Sequence, residues 1–182
     1  TPADQILYDT VKFAAERGSE GTKFATGGAA AGFFGGTSPY PVTQQDGAIT
    51  AIPEFLDAQH PMKSARDAEA YVARVAALAR TLDDETARMT RDAANGIMPP
   101  NFIARTALGQ LTEYRKTAVA EQKLVTSIVE RTKKAGIAGN WEARVSKLVE
   151  SSVYSALDRQ IMAFRMATVA APADRPNRTP AP

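Results

Sequence analysis

The fold is decided by residues 64–96, which read SARDAEAYVARVAALARTLDDETARMTRDAANG. Ser64 is a good N-cap, and Asp67 and Glu69 place negative charge in the first turn, where it favours the start of a helix. Asn95 and Gly96 accept the left-handed turn that ends a helix. Between these ends the stretch predicts one long amphipathic helix, because apolar side chains recur at helical spacing. They are Val72, Val75, Leu78, Leu82 and Met89.

Shorter segments of helical periodicity lie on both sides of this helix. They predict a first helix from about Asp4 to Arg17, a short one that ends before Pro61, and two more before Gly136. Asn140 then caps a second long helix that runs to about Thr168. No segment alternates with a period of two, so the chain is predicted to be all-α with about five or six helices. The two long helices are expected to pack antiparallel.

Two segments fall outside this helical pattern. The stretch from Gly18 to Gly36 is rich in glycine and alanine, lacks a Gly-Lys-Ser/Thr phosphate motif, and is predicted to be a loop. Residues 170–182 contain repeated prolines, which prevent helix packing and indicate a disordered or extended tail. The predicted organisation is therefore a helical domain at residues 1–169 and a tail at residues 170–182.

Charge and composition exclude several classes of function. The 182 residues carry 22 Lys and Arg against 20 Asp and Glu, a net charge of +2. This balance leaves no basic surface dense enough for nucleic acid. No apolar stretch approaches the roughly 20 residues that cross a bilayer, so no membrane span is expected. The chain has no cysteine, so it offers neither disulfides nor thiolate metal ligands.

The scarcity of histidine limits the chemistry that this chain can perform. A catalytic zinc ion takes three protein ligands, often two histidines and a carboxylate, and keeps one position open for water. The only histidine here is His60. We therefore predict no metal site, no catalytic residue and no cofactor within this chain.

The candidate substrate-binding residues are Tyr40, Thr43, Gln44, Gln45 and His60. The first four offer hydroxyl and amide groups on a proline-stiffened segment that could run along a peptide, although Tyr40 could instead pack and the amides cap a helix. His60 precedes Pro61 at a helix end. Its ring could bond a substrate carbonyl in a cleft, or it could bond a backbone carbonyl and close the turn.

Several short motifs in a fixed order resemble a known family. They are SPYPVTQQDGA (38–48) with IPEFLDAQHP (52–61), DAEAY (67–71), GIMPPNF (96–102), LVTS (124–127), AGIAG (135–139) and VYSALDRQ (153–160). Together they resemble the N-terminal region of the bacterial domain-of-unknown-function 885 family, which is similar to HExxH zinc metallopeptidases. The resemblance covers roughly Tyr8 to Arg165. It implies that the helix with the His-Glu-x-x-His motif lies downstream of the part seen here.

The resemblance implies a function for the chain as part of a larger hydrolase. The chain would form one wall of a cleft for a peptide or amide substrate, and zinc would be held by a complementary C-terminal part. The alternative is a non-enzymatic helical module that binds a partner protein. The family resemblance also implies a periplasmic or secreted protein, and the sequence leaves a cytoplasmic location open.

Overall fold

The computed structural model describes residues 1–20, 23, 28–29 and 37–170. Its helices are α1 (Pro2–Glu20), α2 (Ala48–Ala58), α3 (Ala65–Ala94), α4 (Asn101–Lys116), α5 (Lys123–Lys134), α6 (Trp141–Leu148) and α7 (Tyr154–Ala170). A 3-10 turn (Val119–Glu121) precedes α5, and a π-helical turn (Val149–Val153) joins α6 to α7. Two short strands, β1 (Gly28–Ala29) and β2 (Thr37–Ser38), pair antiparallel.

The all-α prediction is confirmed. The π-helical turn keeps a helical backbone from α6 into α7, so the described residues contain six helices when these two are counted as one. Most of the predicted glycine-rich loop and residues 171–182 of the predicted tail lie outside the described residues. The division into a helical domain and a tail therefore stays a prediction.

Helix α3 forms as its sequence predicts. Ser64 and Asp67 make a capping box: the Ser64 hydroxyl accepts from the Asp67 backbone N–H, and the Asp67 carboxylate accepts from the Ser64 backbone N–H. All five predicted stripe residues are buried. The helix ends at Asn95, and Gly96 follows with a φ of 76°, which glycine adopts without strain.

The predicted antiparallel packing of the two long helices is wrong. Arg144 pairs with Glu69 and Arg159 pairs with Asp83, so both helices advance in the same direction. The return pass is made by two shorter helices in series. Helix α4 runs back along α7 as far as the ion pair between Arg115 and Asp158, and α5 continues past the start of α3. Because α4 and α5 together return the chain to the end of the bundle where α3 begins, the helix that follows them runs in the same direction as α3.

The core lies where α2, α5, α6 and α7 surround α3. Helix α2 folds back along α3 through the turn at residues 59–64, and α4 covers α7. The largest fully buried side chains are Tyr71, Phe164, Leu56, Leu78, Leu82, Leu124, Ile128 and Leu157. One end of this bundle carries the α2–α3 turn, and the other carries the N-terminus of α2.

Helix α1 contributes little to this core. Each of its residues up to Arg17 is exposed, although the helix forms where the sequence predicts it. Its exposed large apolar side chains are Ile6, Leu7, Tyr8, Val11 and Phe13. Within the described ranges, no helix combines the length and the apolar character that a membrane crossing requires.

Candidate functional site

Thr43 organises the turn that leads into α2. Its hydroxyl accepts hydrogen bonds from the backbone N–H groups of Gln45 (3.1 Å) and Asp46 (3.0 Å). Its own backbone N–H donates to the Asp46 carbonyl at 3.0 Å. A threonine hydroxyl commonly stabilises a turn in this way. The side chain of Thr43 is therefore engaged within the protein.

The other three predicted residues of this segment differ in exposure. Tyr40 and Gln44 are half-buried, and Gln45 is exposed. The side-chain carbonyl of Gln44 is buried, and it has no hydrogen-bond partner among the described residues. A buried acceptor without a partner is costly, so it is the kind of group that a bound donor would satisfy. Gln44 is thus the predicted residue whose side chain carries an unused hydrogen-bond acceptor.

His60 is buried, with 2% of its surface exposed, and both ring nitrogens have partners. Nε2 lies 2.8 Å from the Asp67 carbonyl oxygen, and Nδ1 contacts Nη1 of Arg74. Because arginine only donates, Nδ1 must accept, and Nε2 must carry the hydrogen that the carbonyl accepts. The ring also meets Tyr71 edge-on with centroids 5.4 Å apart. These contacts match the structural alternative considered for this histidine.

The structure does not bring His60 together with the Thr43–Gln45 turn. His60 bonds α3 at Asp67, whereas the turn leads to Ala48, whose N–H bonds α3 at Glu85. These two positions on α3 are separated by about 27 Å at about 1.5 Å per helical residue. The predicted residues therefore lie at opposite ends of the bundle.

A polar cluster that the sequence analysis did not identify lies beside the turn. Glu85 Oε1 accepts the Ala48 N–H at 2.7 Å, and Oε2 accepts from Gln160 Nε2 at 3.1 Å. Gly47, the N-cap residue of α2, has no side chain to cap the helix, so Glu85 supplies that cap from α3. One carboxylate thus ties α2, α3 and α7 together.

Burial of this carboxylate changes its acidity. Desolvation raises the pKa of Glu85, while the bonds from Gln160 and the Ala48 N–H and the charge of Arg88 lower it by less. Asp46 and Thr43 line a cavity of about 10 Å³ beside it, which has room for about one water molecule. The cluster stabilises the turn and has no space for an organic ligand.

In the sequence, Asp83, Asp84 and Glu85 are typical of a solvated acidic run, and Arg80 and Arg88 lie at spacings that allow ion pairs with it. In the structure, Asp83 pairs with Arg159, whereas the Glu85 side chain lies inside the bundle and accepts a hydrogen bond from Gln160. The spacing of Glu85 was the sign in the sequence that its side chain lies inside the bundle. Glu85 lies three residues after Leu82 and four before Met89, which are both buried. A charged residue on the apolar stripe of a helix is a candidate for a specific buried contact.

Glu85→Gln is expected to make the protein more stable than the wild type as the pH rises. Because the pKa of Glu85 is raised in the folded state, folding favours the protonated carboxyl. The stability that protonated Glu85 contributes is therefore fully present below the ordinary pKa of 4.5. That contribution is lost as the pH rises through the folded-state pKa. Glutamine stays neutral and can still accept from Ala48. Urea denaturation from pH 4 to pH 8 should show the two curves separating as the pH increases.

Glu85→Ala is the companion variant. It removes the cap of α2 and leaves the buried Gln160 amide without its partner, so we expect a loss of about 1–3 kcal/mol near pH 4 that becomes smaller as the pH rises, because the wild type then loses the contribution of protonated Glu85. A Glu85→Gln curve that runs parallel to the wild type at every pH would show that Glu85 is not under a desolvation penalty.

The donor groups in the described part of the chain do not fit a zinc ion. Both nitrogens of its only histidine are engaged, and the described residues contain no group of three or more His, Asp or Glu side chains placed to hold a metal. A catalytic zinc site needs three such ligands.

Comparisons with known proteins bear on the family and the fold. The family described as "Bacterial protein of unknown function (DUF885)" matches residues 1–181. A crystal structure described as that of "the putative lipoprotein from Colwellia psychrerythraea" has a TM-score of 0.71 at 20% identity. The match covers 75% of this chain and 24% of that chain. This chain therefore spans about a quarter of its structural neighbour, and the likeness concerns the fold alone. No curated protein matches the chain.

Proposed function

The chain belongs to the bacterial DUF885 family, and on that premise we propose that it is the N-terminal helical portion of a zinc metallopeptidase-like hydrolase. In this proposal it forms one wall of a cleft for a peptide or amide substrate. The metal and the general base belong to a complementary C-terminal part. No catalytic step is assigned to residues of this chain.

Exposed apolar side chains carry this proposal. Phe102 on α4 and Met162 and Met166 on α7 are 68%, 65% and 69% exposed, although the opposite faces of both helices are buried. Helical spacing favours a core position for Phe102, but α4 packs through Ala104, Ala107 and Leu111 instead. Large exposed apolar groups are typical of a surface that contacts another part of a protein. The stripe on α1 has the same character.

The greater length of the structural neighbour also supports the proposal that this chain is part of a larger protein. The structural neighbour has about four times as much chain as the matched part, so relatives with this fold have ample residues to cover these faces. Both ring nitrogens of His60 are already hydrogen-bonded, and this supports zinc ligands that lie outside this chain. The neighbour's description as a lipoprotein supports a periplasmic or secreted location.

The substrate wall is assigned to Tyr40, Thr43, Gln44 and Gln45, with His60 acting from the opposite end of the bundle. Gln44 has the strongest support because its side-chain carbonyl has no partner among the described residues, and it would accept a hydrogen bond from a substrate N–H when the segment opens to expose it. Thr43 would act by holding the turn in shape. His60 would act through its contact with Arg74.

The proposal predicts a specific kinetic effect in a full-length family member that contains this chain. Gln44→Ala should raise KM for peptide hydrolysis by about tenfold and leave kcat within about twofold, because only substrate binding is lost. Gln5→Ala, on exposed α1, is the matched control and should change neither constant. Metal analysis should find one zinc per full-length chain in the wild type and in both variants.

One result would contradict this proposal, and another would favour the helical-module alternative. A full-length protein without zinc or peptide hydrolysis would contradict the proposal. The helical-module alternative gains support if the 182-residue chain alone is monodisperse and binds no hydrophobic dye, since its apolar faces would then need no covering partner.

A further inference from the structure

Arg74 differs from three arginines that bind carboxylates and so join helices in this bundle. Arg115, Arg144 and Arg159 each bind both oxygens of a carboxylate on a neighbouring helix. Arg74 is exposed, and no carboxylate among the described residues lies within ion-pair distance of it. Its contact is with Nδ1 of His60. Its guanidinium therefore keeps donors for a ligand.

The contact with His60 fixes the orientation of this guanidinium. The His60 ring is buried, held at Nε2 by the Asp67 carbonyl and packed edge-on against Tyr71. Nδ1 can accept only one hydrogen, so it takes one N–H of Arg74 and leaves the rest of the five donors unused. A cation whose position is set by a buried group loses less rotamer entropy when it binds a ligand.

Arg74 stands on the wall of an apolar groove between α2 and α3. The groove has a volume of about 230 Å³ and is lined by Ile52, Phe55, Leu56, Ala77, Leu78 and Thr81. Phe55 is 44% exposed there. The carboxylates of α2 do not neutralise Arg74, because Glu54 and Asp57 both bind Lys123 of α5. An apolar groove with one uncompensated cation fits a ligand that has an apolar group next to a carboxylate.

We propose that this groove binds the free C-terminal carboxylate of a peptide together with its hydrophobic last side chain. The peptide identity rests on the proposed hydrolase function, whereas the carboxylate and the apolar group follow from the groove itself. Pockets for drug-sized ligands measure about 300–1,000 Å³, so a groove of this size suits one side chain better than a long acyl chain. Arg74 would bind the carboxylate through two parallel N–H groups.

The test is an NMR titration of the 182-residue chain with two peptides that differ in one group. Acetyl-Ala-Ala-Phe with a free carboxylate should shift the amide resonances of Ile52, Phe55, Ala77 and Thr81. Acetyl-Ala-Ala-Phe-amide should bind about tenfold more weakly, since the charge-assisted bonds to Arg74 are lost. The comparison uses the native chain, so no variant needs to fold for it to be informative.

Two variants and a third ligand identify the cause of the difference. Arg74→Gln should remove the preference for the free carboxylate, whereas Arg80→Gln, which removes the same charge from the same helix, should keep it. Decanoate that binds more tightly than the peptide would overturn the peptide assignment in favour of an acyl carboxylate. Equal affinity for the acid and the amide, or shifts away from α2 and α3, would overturn the site. This readout needs neither zinc nor hydrolysis, so its failure is distinct from failure of the hydrolase proposal.

Discussion

Gly139→Ala is expected to destabilise the protein by about 3 kcal/mol, from backbone strain and overpacking together. Gly139 has a φ of 157°, which side-chain-bearing residues rarely adopt. A methyl group there would lie 2.5 Å from Nε1 and 2.7 Å from Cζ2 of Trp141. The ring cannot easily retreat, because it is buried and its Nε1–H donates to the Ile137 carbonyl at 3.2 Å.

Gly109→Ala is the matched control, because it makes the same change at a position with room for a methyl group. Gly109 lies inside α4, and a methyl group there would meet no atom within 4 Å. Alanine is the better helix former, so this variant should gain about 0.5–1 kcal/mol. Urea denaturation followed by the fluorescence of Trp141, the chain's only tryptophan, measures both. Equal stability of the two variants would show that Trp141 does not pack on Gly139.

Arg131→Met is expected to cost about 2–4 kcal/mol, the second large effect, since two partly buried carbonyls lose their donor. Arg131 Nη1 donates to the Leu56 carbonyl at 2.6 Å, and Nη2 donates to the His60 carbonyl. These carbonyls lie at the C-terminal end of α2, where a positive charge also offsets the helix dipole. One side chain of α5 thereby ends α2 and positions the residue that orients Arg74.

Lys133→Met on the same helix is the control for loss of charge. Lys133 is exposed, so its replacement should change stability by less than about 0.5 kcal/mol. Hydrogen exchange should locate the Arg131→Met effect in residues 56–60. Uniform protection loss across the bundle, with no excess at the α2 end, would contradict a local clamp.

The helices could be predicted from the sequence because their caps and stripes are local. Ser64, Gly96 and the α3 stripe needed no knowledge of the rest of the chain. The direction of the long helices could not be predicted in this way, since it depends on how α4 and α5 divide one return pass. The side chain of Phe102 shows the same limit: helical spacing favours a core position for it, whereas α4 packs through Ala104, Ala107 and Leu111.

The candidate site was less predictable than the fold. Segment 40–45 was singled out by residue type, which cannot show that Thr43 is used by the turn while Gln44 keeps a free acceptor. Arg74 was not singled out, because its lack of a carboxylate partner and its contact with His60 exist only after α2 folds onto α3.

The π-helical turn had a readable signal in the sequence. Buried residues recur every four positions from Trp141 through Val145, Val149, Val153 and Leu157 to Ile161. An ideal α-helix has 3.6 residues per turn, so each step of four would rotate the stripe by about 40° away from α3. The wider turn at Val149–Val153 absorbs part of this rotation.

The parallel arrangement of α3 and the α6–α7 helix determines when the core can close during synthesis. Their paired residues are separated by 75 or 76 positions, which a ribosome adding about 5–20 residues per second takes about 4–15 s to supply. Until then α3 can be covered only by α2 and α5, so part of its apolar stripe stays exposed on the nascent chain. Translation products that stop before Trp141 would keep that apolar stripe uncovered and be prone to aggregation.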